Sequence, residues 1–78
     1  MNSQELLRMI QIRPFEPFEI HLSSGESYFI RSPECLLVGR NTSFIGIPGN
    51  PNEPIFDDWV RVANLHITSL KPTNRISA

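Results

Sequence analysis

Phe18-Glu19-Ile20-His21-Leu22-Ser23-Ser24-Gly25-Glu26-Ser27-Tyr28-Phe29-Ile30-Arg31 is the stretch that decides the architecture of this chain. Phe18 to Leu22 alternates apolar and polar without a break, the period of a half-buried strand. Ser23-Ser24-Gly25 interrupts the alternation, and Glu26 to Arg31 reads as the returning strand of a hairpin. Two registers compete. A two-residue loop at Ser24-Gly25 sets Leu22 opposite Ser27 and Phe18 opposite Arg31. A three-residue loop of Ser23, Ser24 and Gly25 sets Ile20 opposite Tyr28 and Phe18 opposite Ile30. The second register gathers the apolar residues on one face. It also gives Gly25 the left-handed backbone that a type I turn with a G1 bulge requires. A slip of one residue turns a whole strand inside out, so the three-residue loop is expected.

Working toward the N-terminus, Arg13-Pro14-Phe15-Glu16-Pro17-Phe18 is a stiff joint, because two prolines fix φ. It reads as a device that turns the chain and plants Phe15 and Phe18 in the core; a PxxP ligand for another protein's aromatic groove is the alternative. Ahead of it lies a short helix. Asn2 or Ser3 caps it, Glu5 sits where a capping box places an acid, and Leu6, Leu7 and Ile10 form its apolar stripe. It must end near Ile12, because a residue before proline avoids the α region.

Toward the C-terminus, Ser32-Pro33-Glu34 is a turn and Cys35 to Gly39 is apolar on both faces, as a central strand is. Arg40-Asn41-Thr42 turns the chain back into Ser43 to Ile47. Pro48 to Pro54 carries three prolines that cannot donate ladder bonds, so it reads as an exposed loop. A strand with Trp59, Val60 and Val62 follows, then a tight turn at Ala63-Asn64-Leu65 and a last strand from His66 to Leu70. Residues 1–72 form one domain in this reading, and Thr73 to Ala78 a loose tail. One helix, short strands at close spacing and no second helix predict a mainly β domain, a five-stranded antiparallel small barrel.

Seventy-eight residues make one domain and no more. A chain this short buries only about 60% of the surface its unfolded form exposes, so help from self-association is expected. Cys35 is the only cysteine, which excludes an internal disulfide and points to a reducing, cytoplasmic setting. The start Met1-Asn2-Ser3-Gln4-Glu5 has neither the basic nor the apolar region of a signal peptide. The longest apolar run, Cys35 to Val38, falls far short of the roughly 20 residues of a membrane helix. A net charge of −1, evenly spread, gives no electrostatic case for nucleic acid or an anionic membrane.

Catalytic chemistry is sought in vain. Cys35 is followed by Leu36, Leu37 and Val38, which reads as a buried, inert thiol. His21 and His66 fall on strands that approach each other if the first and last strands pair, but no HxH, CxxC or HxxxH spacing supplies further metal ligands. Asp57-Asp58 is the only paired acid, and neighbours on a strand point to opposite faces. Arg31, Arg40 and Arg61 are the basic residues that folding has a chance of gathering beside Tyr28, Phe29 or Trp59 as stacking platforms. No catalytic residue, metal site or cofactor is expected.

Arg13-Pro14-Phe15-x-Pro17-Phe18-x-Ile20-x-Leu22-x-x-Gly25-x-x-Tyr28, with Ile67-Thr68-Ser69-Leu70 near the end, resembles a family of small bacterial proteins of planctomycete type. That family carries an RPFxPFxIxLxDGxxxxVxHPE-like pattern. Ser24 stands where it often has Asp, and Ser32-Pro33-Glu34 where it often has His-Pro-Glu. The resemblance spans residues from about 4 to 70 and implies no activity. The layout of helix and strands, closing on Val62-Ala63-Asn64-Leu65-His66-Ile67, also resembles SH3-like and Sm-like barrels, the bacterial Sm-like RNA chaperone in particular. The lysine-histidine pair of that chaperone's closing segment is absent, since Asn64, Leu65 and His66 do not supply it.

These readings converge on a small non-catalytic protein-interaction module, a homodimer or the partner of another protein. Trp59, Asp57, Asp58, Pro51 and Asn52 are its expected contact residues. A weak nucleic-acid binder is the alternative.

Overall fold

A computed structural model describes residues 1–50 and 52–73 of the chain. It opens on helix α1, Ser3–Gln11. The Asn2 side chain caps this helix, its Oδ1 accepting the Glu5 amide at 2.9 Å. At the other end the Arg13 guanidinium donates to the Ile10 and Ile12 carbonyls, both at 2.9 Å, so the unsatisfied C-terminal acceptors are covered before Pro14. Leu6 is fully buried, while Leu7 is displaced from the expected stripe and exposed. The Arg13–Pro14 peptide bond is cis. Phe18 enters the core with the partly buried Phe15 ring 6.1 Å away.

Six strands follow: β1 (Phe18–Leu22), β2 (Ser27–Ile30), β3 (Leu36–Leu37), β4 (Thr42–Pro48), β5 (Phe56–Ala63) and β6 (Ile67–Pro72). The β1-β2 hairpin has the three-residue loop, with Phe18 opposite Ile30, Ile20 opposite Tyr28, and Gly25 at φ 96°. The strands make two separate antiparallel sheets, in the orders β2-β1-β6 and β3-β4-β5. The expected five-stranded antiparallel SH3-like or Sm-like barrel is therefore incorrect: the described residues make six strands, and neither sheet closes on itself.

Two 3-10 turns explain the break. Pro33–Cys35 winds into one turn between β2 and β3, and Asn64–His66 winds into another between β5 and β6. At both places the chain passes from one sheet to the other through a turn rather than along a continuous ladder. The segment expected as a central strand at Cys35 to Gly39 shrinks for the same reason. Pro33 starts the turn, Cys35 and Leu36 point inward, and only Leu36–Leu37 pairs, at a sheet edge. Gly39 then holds a close turn in which a Cβ would run into the Thr42 carbonyl.

The inner faces share one core of Leu6, Phe18, Ile20, Ile30, Cys35, Leu36, Ile45, Val62 and Ile67. One polar joint crosses it. Ser43 donates to Asn64 Oδ1 at 2.7 Å, and Asn64 Nδ2 donates to the Gly39 carbonyl at 2.9 Å and the Arg40 carbonyl at 3.2 Å. The second 3-10 turn is thereby bolted to the β3-β4 turn, and both side chains are buried with their bonds made. Thr73, placed in the tail by the sequence, donates its amide to the Pro17 carbonyl at 3.1 Å; residues 74–78 lie outside the described residues.

Candidate interaction surface

Residues directly opposite in an antiparallel pair share a face. On the second sheet, Leu36, Ile45 and Val60 form an inner row, which leaves Leu37, Phe44 and Arg61 as the matching outer row. Next along the strands, Gly46 stands opposite Trp59. Leu37 is 61% exposed, Phe44 37% and Trp59 43%, large apolar groups left in the open. The half-buried Phe56 borders them, where the register shifts between Ile47 and Pro48. Its ring meets Trp59 edge-on at 4.9 Å. Both rings lie over Gly46, where a Cβ would come within 3.0 Å of Phe56 and 3.2 Å of Trp59. Glycine here leaves the room that lets the two rings pack together over the sheet.

The other expected contact residues gather around this face. Asp57 is exposed, and its carboxylate sits against Gly49, where a Cβ would strike it. Asp58 is exposed and accepts the Trp59 amide at 2.8 Å. Asn52 is exposed, its amide held by Asn50 Oδ1 at 2.9 Å in an Asx turn. Pro51 lies outside the described residues. Sequence reasoning missed Leu37, Phe44 and Phe56 altogether. The signal was weak because β3 and β4 are apolar on both faces, and alternation fails to separate inside from outside there.

Backbone polarity adds a second feature. The Asn64 amide donates to the Asn41 carbonyl at 2.9 Å. Hydrogen-bonded positions recur every two residues in an antiparallel ladder. Val62, Val60 and Asp58 therefore bond to β4, and the amides and carbonyls of Trp59 and Arg61 aim off the free edge. Among the described residues no strand pairs with β5 on that side.

Along the end of the same edge lies a cleft of about 350 Å³ between β5 and the β1-β2 turn, with Leu22, Tyr28, Val60 and Val62 among its walls and Arg61 and His66 at its rim. His66 Nδ1 is 3.5 Å from the Ser23 hydroxyl, whereas His21 Nε2 contacts Glu19 Oε1 at 3.0 Å, so the two histidines face different partners. Among the described residues no three His, Cys, Asp or Glu side chains converge to hold a metal ion. Arg31, Arg40 and Arg61 each border a different cleft. Cys35 is buried, its sulfur 3.4 Å from the Ser32 hydroxyl. Among the described residues no helix is long and apolar enough to cross a membrane. Comparison with protein-family models, with curated proteins and with solved structures returns no match.

Proposed function

We propose that this chain is a non-catalytic protein-interaction module that works through the outer face of the β3-β4-β5 sheet. The observation that carries the reading is the exposed set Leu37, Phe44 and Trp59, with the half-buried Phe56 against Trp59 and Asp57, Asp58 and Arg61 at its border. An apolar patch with a charged rim is the anatomy of a protein interface, and aromatic anchors carry most of the energy in such patches. A cytoplasmic setting, in which the lone buried Cys35 stays a thiol, goes with this reading. So does kinship with the small bacterial family that shares the double Pro-Phe motif. Affinity capture from the native host with the wild-type chain and with Phe44→Ser tests it: proteins held by the first and lost from the second are expected, and identical recoveries would sink the proposal.

The cleft supports a second reading, a weak nucleic-acid binder, because it sets the Tyr28 ring near Arg61 and His66. Retention on heparin at low salt that vanishes in Arg61→Ala would favour it over the first.

A further inference from the structure

We propose that the first occupant of this surface is a second copy of the chain, joined edge to edge through β5 with the two-fold axis at Trp59. The proposal rests on the interaction reading above and names its partner. The Trp59 and Arg61 backbone groups aim off the open edge of the β3-β4-β5 sheet, and an open edge is a template for another strand. Two copies of one strand pair antiparallel about a two-fold axis, so a single residue sits opposite itself.

The charges on β5 select which residue. Pairing centred on Arg61 or on Asp57 sets like charges face to face. Pairing centred on Trp59 lays the Asp57-Asp58 end of each strand alongside Arg61 of the other, twice by symmetry. Charge order of this kind disfavours the registers centred on Asp57, Asp58 or Arg61, and centring on Val60 forgoes both Asp57–Arg61 pairs. The same arrangement brings the two Trp59 rings together and joins the two outer faces into one continuous aromatic surface. Within one chain Asp57, Asp58 and Arg61 form no ion pair among the described residues, so their charges are free for such a partner. The Asp58 carboxylate, which holds the Trp59 amide at 2.8 Å in the single chain, must let go for the ladder to form. It therefore shields the edge at low concentration without closing it.

The test is sedimentation velocity of the full chain across a concentration series, with folding checked by circular dichroism. Wild type is expected to reach twice the 8.9 kDa chain mass. Arg61→Asp and Asp57→Arg each set like charges together and should weaken the dimer at least about tenfold, while the double variant should recover most of that loss. Trp59→Ala should weaken it without unfolding the chain. A wild type that stays at 8.9 kDa at hundreds of micromolar overturns the proposal, as does a dimer indifferent to all of these variants. Either failure leaves the broader interaction reading to the host capture experiment, whose readout is a different protein.

Discussion

On the outer face of the first sheet Glu19 stands between Phe29 and Lys71, and His21 between Ser27 and Ser69. On the outer face of the second, Phe44 stands between Leu37 and Arg61, and Gly46 lies under Trp59 and Phe56. Both sheets have three strands, both turn an apolar inner face to the same core, and they differ in what they show outside. Five polar or charged side chains accompany the single exposed Phe29 near the middle of the first, and His21 Nε2 and Glu19 Oε1 already meet at 3.0 Å. The second exposes a row of large apolar groups. Since both faces come from the same chain under the same folding demands, packing of the core does not explain the contrast. The contrast is what motivates the proposal that the second face serves for contact.

The contrast breaks most visibly if inner and outer residues prove energetically alike. Phe18→Ala empties a fully buried site and should cost about 3–5 kcal/mol in denaturant melts. Phe44→Ser on the outer face, where the ring is 37% exposed, should cost less, about 1–2 kcal/mol; a loss as large as that of Phe18→Ala would mean the second sheet's outer face is core after all.

Asn64→Ala removes the joint between the sheets, leaving the buried Ser43 hydroxyl without an acceptor and the Gly39 and Arg40 carbonyls without the Asn64 amide, and should cost about 1–3 kcal/mol. Since that joint is internal, the loss should appear in thermal unfolding with no change in the apparent mass of the folded protein, which separates structural from contact residues.

The smallest effect belongs to the first sheet. Glu19→Ala should shift stability by no more than about 1 kcal/mol, because a single side-chain hydrogen bond to His21 contributes little net, and it should leave self-association untouched. A change in sedimentation from this variant would erase the distinction between the two faces.

Part of this organisation is legible in the residues. Strict alternation from Phe18 to Leu22, with Gly25 placed to take φ 96°, fixes the first hairpin and its register. Asn2 and Glu5 fix the start of the helix through a local hydrogen bond. Elsewhere the code is degenerate. Leu36-Leu37 and Phe44-Ile45 are apolar on both sides, so nothing local says which of each pair is buried. Whether two sheets merge into a barrel depends on ladders between distant strands, which period-2 patterning does not encode. Asn64 reads as an ordinary turn residue, and its burial against Ser43 and Gly39 emerges only from contacts more than twenty positions apart. Trp59, Asp57 and Asp58 stand out as the lone tryptophan and the paired acids, while Leu37 and Phe44 gain meaning only when their strands align.

The most direct measurement uses Trp59 itself, the only tryptophan in the chain and 43% exposed in the single copy. Its fluorescence should be quenched by acrylamide to an extent that depends on protein concentration. If β5 pairs with β5 of a second copy, quenching is weak at hundreds of micromolar and rises on dilution as the copies separate, while Arg61→Asp is quenched strongly at every concentration. Strong, concentration-independent quenching of the wild-type protein would contradict the account, because the ring at its centre would then be uncovered throughout.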